Sequence, residues 1–567
     1  MISTFLNRAK SGEPVWIGEI REAFSALPDN RKIILRLTDL NRAVHDREIR
    51  IPKWKSAEER NFLKEYLAAI VFNFLSCIGG IELRLYLPEN DKELEKLIAE
   101  LSTLFQLDRE KRSGYGKVIS ICDRMSRAAG GGKFHFAVDS LQNYHALPAK
   151  EQNRTAPLGA SLRERLNEAE FGLRCGLDVG GTDIKAAVSL EGELLSVHEF
   201  DWDPASYQTA EEILNPILLL ARLLRLEACS QGEKKLPLKI DMEQLRRHVI
   251  EKESTERTLP YFDSIGLSFP DVVVHDRILG GETPKTRGLR NNPNVQYEQE
   301  FGKLRSLQEK LMALCVPGGT VKIANDGNIA AYTAAVEMAC GGDQVQNGVF
   351  AHSLGTDLGT GWLMEDGTLP AMPLELYDFL LDMGSYPQRA FEPEDVRSVR
   401  NENSGLPDAR KYLGQSAAFR LAMEKNPKLL EADLVNTEGR LEIRREPEDR
   451  RKACLEHLML EAERGNAEAR AVFRDIGRHL GRIGREIDWL LSPKTQERYL
   501  YGRFVKHAAC FALMQEGCAA VMPALKLISA NEELAFSPLM RALAERQDST
   551  VAQFGQAVGA IYFGLTN

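Results

Sequence analysis

The chain has 567 residues, of which 43% are hydrophobic and 27% are charged, and it carries a formal net charge of −9. This length is enough for roughly three to four domains, and the composition is that of a globular protein with an ample core. The net charge is negative and no long basic run occurs, so nothing in the chain favours binding to nucleic acid or to an anionic membrane.

Nine cysteines are scattered along the chain, and no two of them form a CxxC pair. This pattern argues against a disulfide framework and against a structural zinc site, and it predicts reduced thiols in a cytoplasmic protein. The first residues, MISTFLNRAKSGEP, lack the apolar core of a signal peptide. The most apolar run, Tyr66–Ile81, is shorter than the about 20 residues that a membrane span needs. A buried helix followed by a strand is predicted there instead.

Residues 1–150 are predicted to form a small α/β unit of unknown role. A helix is predicted over Glu58–Leu75, and the segment Ile81–Leu87 alternates apolar and polar residues as a half-buried strand does. Apolar residues at helical spacing from Leu94 predict a second helix. Residues 151–172 are polar and irregular and are predicted to be a linker.

Strands and helices alternate over residues 173–340, which predicts a second α/β unit. Leu173–Leu190 is predicted to form two strands joined by a tight turn, and a helix is predicted near Ala210–Cys229. Asp263–Pro270 has the apolar run of a buried strand that ends in a turn, and Thr320–Ala339 combines a strand, a polar turn and a helix.

Residues 341–567 begin with a second strand–turn–strand segment, Gly348–Met364, and are then predicted to be largely helical. The clearest helix is Ala467–Leu491, whose apolar residues recur at helical spacing and which ends before a proline. A short strand, Arg498–Gly502, follows it. The last helix of the chain is a candidate for a return to residues 173–340.

The two strand–turn–strand segments have turns rich in Gly, Thr and Asp. Glycine lets backbone N–H groups approach a ligand closely and adopt positive φ, and threonine adds a hydroxyl donor. Such turns form concave rows of N–H donors that suit phosphate oxygens. One turn of this kind is common, but two in one chain, with a strand, the sequence NDGN and a helix between them, indicate a nucleotide site.

This order of motifs resembles the actin-like ATPase superfamily, and more closely the ROK (repressor, open reading frame, kinase) sugar-kinase family. The resemblance extends from about Leu173 to the C-terminus and does not cover residues 1–150. The segments that carry it are the first phosphate motif DVGGTDIK (Asp178–Lys185), the strand and turn IGLSFPDVV (Ile265–Val273), the catalytic segment ANDGNIAAYTAA (Ala324–Ala335), the second phosphate motif SLGTDLGTGWLMEDGTL (Ser353–Leu369) and the adenosine-side segment LLSPKTQERYLYG (Leu490–Gly502).

The resemblance implies an actin-like ATPase (ribonuclease H-like) α/β fold of two lobes, residues 173–340 and 341–567, with an extra N-terminal α/β domain. It implies that Asp326 accepts the proton of a sugar hydroxyl during transfer of the γ-phosphoryl group of ATP, and that Asn325 binds a neighbouring hydroxyl. Asp178 would hold Mg²⁺ through water, and Lys185 would add positive charge or brace its hairpin. The other implied nucleotide-binding residues are Gly180, Gly181, Thr182, Gly355, Thr356, Gly359, Thr360, Gly361 and Gly502.

Departures from the family pattern change the expected site. The family's cysteine-rich zinc motif is missing after the second hairpin, and only Glu375 of the sugar-binding segment can be matched. Asp357 replaces a glycine of the second phosphate loop, where a carboxylate repels γ-phosphate unless a metal ion or a lysine intervenes. Polyphosphate is therefore an alternative donor to ATP. Lys285 lies in the loop that replaces the family's substrate-side loop, and it is either a contact for an acidic or phosphorylated sugar or part of a solvated basic loop.

The sequence therefore predicts a cytoplasmic, ATP- and Mg²⁺-dependent kinase of a hexose or hexose derivative, with no nucleic-acid or membrane partner. A homodimer is a further expectation taken from the family. The alternative is a non-catalytic sugar or nucleotide sensor on the same fold, in which residues 1–150 form an interaction module. An actin-like ATPase or chaperone fits the NDGN segment and the order of the motifs less well.

Overall fold

The computed structural model describes residues 1–105, 115–147, 162, 171–229, 236–256, 258–280, 284–343, 345–355, 358–385, 408–437, 440–444, 447–530 and 535–566. The predicted linker over residues 151–172 lies almost entirely outside these ranges, as do Thr356 and Asp357 of the second hairpin. Each of the two predicted lobes is built on its own sheet, and the N-terminal residues form a third sheet.

The N-terminal unit, residues 1–147, is a four-stranded sheet covered by helices. Its elements are α1 (Ile2–Ser11), α2 (Ile17–Ser25), β1 (Asn30–Thr38), β2 (Val44–Pro52), α3 (Ala57–Ile78), β3 (Glu82–Leu87), α4 (Lys92–Leu104), α5 (Gly116–Ala128), β4 (His135–Ser140) and α6 (Leu141–His145). The strand order is β2-β1-β3-β4. β1 runs antiparallel to both of its neighbours, whereas β4 joins β3 in parallel.

Helix α3 is the central apolar element of this unit and is longer than the sequence pattern predicts. Its N-cap Ser56 accepts a hydrogen bond from the backbone N–H of Glu59, and it ends at Gly79, which adopts φ 67°. By length and composition α3 could cross a membrane, but 83% of its most apolar window is buried inside the fold. It is therefore a core helix of this unit.

The first lobe comprises the described residues from 171 to 325. Its elements are β5 (Leu173–Val179), β6 (Asp183–Leu190), β7 (Glu193–Asp201), α7 (Ala210–Cys229), β8 (Lys239–Ile240), α8 (Met242–Thr255), β9 (Phe262–Phe269), β10 (Val273–Val274), β11 (Arg277–Ile278), α9 (Arg287–Asn291), α10 (Tyr297–Gly302), α11 (Leu307–Met312) and β12 (Cys315–Asn325). β5, β6 and β7 form an antiparallel meander, and β9 and β12 extend the sheet parallel to β5. The strand order is β12-β9-β5-β6-β7-β8.

The second lobe repeats this plan with fewer strands. Its elements are α12 (Asp326–Cys340), β13 (Val349–Leu354), β14 (Leu358–Leu363), α13 (Gln415–Lys425), β15 (Leu434–Thr437), β16 (Arg440–Ile443), α14 (Arg451–Glu463), α15 (Ala467–Leu491), β17 (Glu497–Tyr501), α16 (Ala508–Val521), β18 (Lys526–Ser529), α17 (Pro538–Ala544) and α18 (Val551–Phe563). β13 and β14 form an antiparallel hairpin, and β17 and β18 continue parallel to β13 in the order β14-β13-β17-β18. A hairpin followed by parallel strands in both lobes confirms the predicted actin-like ATPase fold.

The last helix, α18, returns to the first lobe and lies across its sheet. Small residues on both surfaces allow this close approach: a Cβ at Gly176 of β5 would overlap the carbonyl oxygen of Ala557, and one at Gly266 of β9 would overlap that of Ala560. The helix therefore presents its polar residue Gln556 to the end of β9, where its amide reaches the Ser268 hydroxyl at 3.3 Å.

The N-terminal unit and the second lobe share one continuous hydrophobic core. Asn73 of α3 donates to the carbonyl of Leu380 at 2.9 Å and accepts from its N–H at 2.7 Å. Asp382, which is fully buried, accepts from the backbone N–H of Val15 at 2.6 Å. These buried polar contacts join residues more than 300 positions apart, so the N-terminal unit is an integral part of the second lobe's packing.

Candidate active site

The first hairpin, β5–β6, presents an open turn at Gly180, Gly181 and Thr182. The N–H of Gly180 donates to the carbonyl of Asp183 at 2.8 Å and closes the turn. Trp202, just beyond β7, braces the turn by donating to the carbonyl oxygens of Thr182 (3.0 Å) and Gly180 (3.1 Å). Gly181 and Thr182 are exposed, and their N–H groups have no acceptor among the described residues. Three hydrogen bonds hold the turn, and it carries two N–H donors that can face a ligand.

Asp178 lies at the end of β5, level with Lys185 on β6 and with Ser268 on β9. Burial raises the pKa of the Asp178 carboxyl to about 6, and the negative charges of Asp326 and Asp183 act in the same direction. The positive charge of Lys185 and a hydrogen bond with Ser268 oppose this shift. The carboxylates of Asp178 and Asp326 therefore act on each other across the cleft between hairpin and helix.

The two lysines near the first hairpin have different surroundings. Lys185 forms an ion pair with Asp183 of its own strand, and its two predicted roles stay predictions. Lys285 lies over the turn: a Cβ at Gly181 would be 3.2 Å from its Cε. Lys285 has no ion-pair partner among the described residues. The structure thus places Lys285 at the turn of the first hairpin.

Asp326 is the first residue of α12 and follows the N-cap Asn325. The Asn325 side chain accepts from the Gly327 N–H at 2.9 Å and donates to the carbonyl of Asp271 at 3.0 Å. Its amide therefore fixes the turn that carries Asp326. The carbonyl oxygen of Asp326 accepts a 2.6 Å hydrogen bond from Gln556 of α18. The backbone of Asp326 is held from two sides, and its side chain remains half-exposed.

The N-terminus of α12 presses directly onto β14 of the second hairpin. A Cβ at Gly327 would overlap the backbone of Thr360, and a Cβ at Gly361 would overlap the backbone of Gly327. Asn328 then accepts a 3.1 Å hydrogen bond from the N–H of Trp362. In the sequence NDGN, Asn325 thus caps α12 and Asp326 is its first residue. Gly327 then packs against β14, and Asn328 bonds to it.

The second hairpin is less open than the motif predicts. Thr360 is only 4% exposed, and its Oγ1 lies 3.0 Å from Nδ1 of the buried His352. Because Thr360 and Gly361 pack beneath α12, their predicted role as phosphate ligands is corrected to a packing role. Gly359 packs against the Ser353 side chain, and Gly355 has open space where a Cβ would lie. Gly355 is therefore the described residue of this motif that a phosphate can approach.

Gly502 lies next to the second hairpin, directly after β17. It adopts φ 103°, and a Cβ there would meet the carbonyl oxygen of Leu354 at 2.5 Å. A side chain is therefore excluded both by conformation and by space. The carbonyl of Gly355 accepts from the N–H of Gln415 at 2.9 Å. The second hairpin, β17 and α13 thus meet at one edge of the lobe, and the position of the adenosine there stays a prediction.

Glu375, the predicted sugar ligand, is buried against the N-terminal unit. It is 4% exposed, and its backbone N–H donates to the carbonyl of Ser76 at the end of α3. Its carboxylate lies beside Tyr377, whose pKa is raised by burial and by that negative charge. The assignment of Glu375 to the sugar is therefore corrected, because this segment lies in the core shared by the N-terminal unit and the second lobe.

Three site residues were not predicted as functional: Ser268, Gln556 and Asn328. Ser268 contacts both Asp178 and Gln556, and Gln556 holds the carbonyl of Asp326. Ser268 and Asn328 lie inside motifs that the sequence did indicate. Gln556 carried only a weak signal, a polar residue within an otherwise apolar helix.

Asp178 fits the use that proteins make of Mg²⁺. Among the described residues no group of three or more His, Cys, Asp or Glu side chains is placed to hold a metal ion. Mg²⁺ keeps several waters and uses one or two carboxylates together with substrate phosphates, so such a group is not required. The mutual repulsion of Asp178, Asp183 and Asp326 would be relieved by a divalent cation.

No protein-family model and no curated protein matches this sequence. Solved structures do match. A ROK family glucokinase from Streptomyces griseus, in complex with glucose and AMPPNP, is 18% identical over 69% of this chain and 99% of its own, with a TM-score of 0.39. A ROK hexokinase from Thermus thermophilus is 16% identical over 65% and 97%, with a TM-score of 0.38.

A third match is a ROK family transcriptional regulator, a homologue of the E. coli MLC protein, which is 12% identical over 89% of this chain and 99% of its own, with a TM-score of 0.40. Identities and scores this low carry no information about activity or substrate. The actin-like ATPase fold of this chain is given instead by the strand order of the sheets in its two lobes.

Proposed function

We propose that this protein is a cytoplasmic sugar kinase that transfers the γ-phosphoryl group of ATP to a hydroxyl of a hexose or hexose derivative. The observation that carries the proposal is the position of Asp326 at the start of α12, where Gln556 links its carbonyl to Ser268, the neighbour of Asp178 in the sheet. Phosphoryl transfer to a hydroxyl requires a proton acceptor beside bound phosphate. Asp326 would be that acceptor, and the first hairpin would bind the phosphate.

In the proposed reaction Asp326 accepts the proton of the attacking sugar hydroxyl as its oxygen bonds to phosphorus. The carboxylate accepts a hydrogen bond from the Gly327 N–H at 2.9 Å, which holds it at the start of α12. Asn325 and Gln556 hold the backbone around it, so little reorganisation accompanies the proton transfer.

The first hairpin would hold the phosphates. The exposed N–H groups of Gly181 and Thr182 can donate to phosphate oxygens, and Lys285 would add a positive charge over the turn. Mg²⁺, held by Asp178 through water, would neutralise phosphate charge when bound. Lys285 is thereby assigned to the phosphate side of the site and not to the sugar.

A non-catalytic sugar or nucleotide sensor is the second candidate, and the N-terminal unit favours it. This unit buries Glu375 and also contacts the first lobe, where Arg124 of α5 donates to the carbonyl of Gly280 at 2.8 Å. Asn41 lies 2.6 Å from His275 of the β10–β11 turn. A unit that holds both lobes can restrict the lobe movement that a kinase uses.

The test measures turnover with Mg²⁺ across a panel of hexoses, amino sugars and sugar acids. With ATP as the donor the readout is ADP release, and with polyphosphate as the donor it is phosphorylation of the sugar. We expect one sugar class to give turnover, and Asp326→Asn to lower kcat by about 10²- to 10⁴-fold because the general base is lost. Asp241→Asn, a change at the N-cap of α8 whose carboxylate accepts from the Gln244 N–H, is the matched control and should leave kcat unchanged.

The two candidates give different results in this experiment. Sugar-dependent turnover that Asp326→Asn retains would contradict Asp326 as the base. Sugar or nucleotide binding without turnover, in wild type and Asp326→Asn alike, would reject the kinase and support the sensor.

A further inference from the structure

The N-terminal unit contacts the two lobes through interfaces of different size. Residues of α1, α2, α3 and α4 belong to a large hydrophobic core that also contains residues of the second lobe. A buried ion pair adds to this interface, because Arg21 of α2 donates to both carboxylate oxygens of Glu486 of α15, at 2.7 and 2.8 Å. An interface this extensive and apolar holds two units together as one body.

A small apolar cluster joins the N-terminal unit to the first lobe. Its buried residues come from α5, from the segment around β10 and β11 of the first lobe, and from the second lobe: Ile121, Met125, Val272, Val274, Leu279 and Ala371. All three parts of the chain thus meet at this cluster. It buries much less apolar surface than the shared core does, so it resists separation less.

Arg124 of α5 provides the main polar bonds of this contact. Its side chain is 3% exposed and enters the first lobe. There Nη1 donates to the carbonyl of Gly280 at 2.8 Å, and Nη2 donates to the Glu298 carboxylate at 2.9 Å. The guanidinium also lies 5.4 Å from the centre of the Phe301 ring. Hydrogen bonds of a charged group are about twice as strong as neutral ones, so the contact with the first lobe depends on Arg124.

The turn between β10 and β11 connects this contact to the candidate active site. It is formed by His275 and Asp276, whose φ values of 50° and 59° are strained for residues other than glycine and persist only where contacts hold them. Nε2 of His275 lies 2.6 Å from Oδ1 of Asn41 in the N-terminal unit, and Asp276 accepts from the N–H of Ile323 at 2.8 Å. Ile323 belongs to β12, which ends at Asn325. The N-terminal unit is therefore bonded to a turn that is itself bonded to the strand leading into α12.

We propose that the N-terminal unit moves with the second lobe as one body, and that its contact with the first lobe is a latch that keeps the two lobes together. The latch consists of Arg124, Asn41 and the apolar cluster around Met125. Because the interface with the second lobe is larger and more apolar, the lobes separate at the latch. The latch thus restricts the opening by which ligands enter and leave the cleft. The proposal goes beyond phosphoryl transfer, since it concerns lobe movement and rests on these contacts alone.

Distances between two spin labels on the full-length protein, measured by pulsed electron spin resonance, test the proposal. One label is attached to Cys229 of the first lobe, which is exposed, and the half-buried Cys340 is replaced in a Cys340→Ser background. The other label is attached to Glu468→Cys, an exposed position in the first turn of α15. We expect one main distance when the latch is intact. Arg124→Gln should raise the population of a longer distance about tenfold, since hydrogen bonds of a charged group are lost.

Arg60→Gln is the matched control, because Arg60 pairs with Glu100 inside the N-terminal unit, and it should keep the distances of the intact latch. Asn41→Ala removes only the exposed contact with His275 and should raise the longer-distance population about twofold, even if Arg124→Gln is unstable. The proposal is overturned if Arg124→Gln and Asn41→Ala both leave the distances unchanged, or if Arg60→Gln changes them as much as Arg124→Gln does. Because the measurement requires no turnover, failure of the latch is distinguished from failure of the proposed kinase.

Discussion

The two hairpins have similar sequences but different surroundings. In the first, Gly181 has only the flexible end of Lys285 near the place where a Cβ would lie. In the second, Gly361 has the backbone of Gly327 there, and its neighbour Thr360 is buried against His352. The glycine at the first turn therefore has open space around it, whereas Gly361, within β14 of the second hairpin, packs against a helix.

This difference shows that a glycine-rich turn is not by itself a phosphate site. Glycine permits any close approach of backbone, whether from a phosphate or from a neighbouring helix. In this chain the second hairpin uses its glycines to seat α12, and that contact positions Asp326 opposite Asp178. Among the described residues, Gly361 of the second hairpin thus contributes to the candidate site by seating α12.

The largest effect is expected from Gly361→Ala. The added methyl group overlaps the backbone of Gly327, which cannot move as a flexible side chain can, so we expect a loss of about 3 kcal/mol in unfolding free energy. Chemical denaturation measures it. Gly302→Ala, where nothing lies within 4 Å, is the control and should be nearly neutral. If the two variants were equally stable, Gly361 would not be needed for the packing of the second hairpin against α12.

A smaller effect is expected from pH at the same hairpin. Burial lowers the pKa of His352 to about 3, and the charge of Arg498 acts in the same direction. The folded state therefore binds this proton less readily than the unfolded state, so the stability contribution is present above about pH 6.5 and lost below it. At pH 5 the loss is about 2 kcal/mol for this histidine.

His352→Asn should make the unfolding free energy less steep between pH 6.5 and 5. His479, also buried with its pKa lowered to about 3, leaves a remaining slope in the variant. Denaturation curves of both proteins at several pH values provide the measurement. If the unfolding free energy of the variant depends on pH as steeply as that of wild type, folding does not lower the pKa of His352.

The smallest effect concerns the first hairpin. Lys285→Gln should raise the KM for ATP about tenfold, because one charge-assisted contact to phosphate is lost while the fold is unchanged. Arg287→Gln removes the same charge from an exposed position two residues away and should have little effect. Steady-state kinetics at constant sugar concentration distinguishes the two. Equal effects would indicate general electrostatic attraction and not a contact at the turn.

Much of the fold could be predicted because its signals are local. Helix α15 was predicted with its observed bounds, since its apolar stripe is long and a proline follows it. Both hairpins, and the strand, cap and helix around Asp326, also carry their pattern within a few residues. Turn residues and helix caps act on adjacent backbone, so the sequence alone reveals them.

The remainder depends on contacts between distant residues. Gln556 reaches Asp326 across 230 positions, and Asn73 reaches Leu380 across 307. No periodicity or motif indicates which distant segment a side chain will meet. This is why Glu375 was matched to a sugar site, although the N-terminal unit covers it. It is also why the packing role of Thr360 and Gly361 was not predicted.

The most direct test of the account is the binding of Mg²⁺-ATP to Gly181→Val, measured by calorimetry beside wild type and Gly302→Val. The first hairpin is proposed to hold the phosphates through its open turn, so a side chain at position 181 should weaken binding about tenfold or more, with the Gly302 variant unchanged. Unaltered affinity in Gly181→Val would contradict the account, because the phosphates would then lie away from the turn beside Asp178 and Asp326.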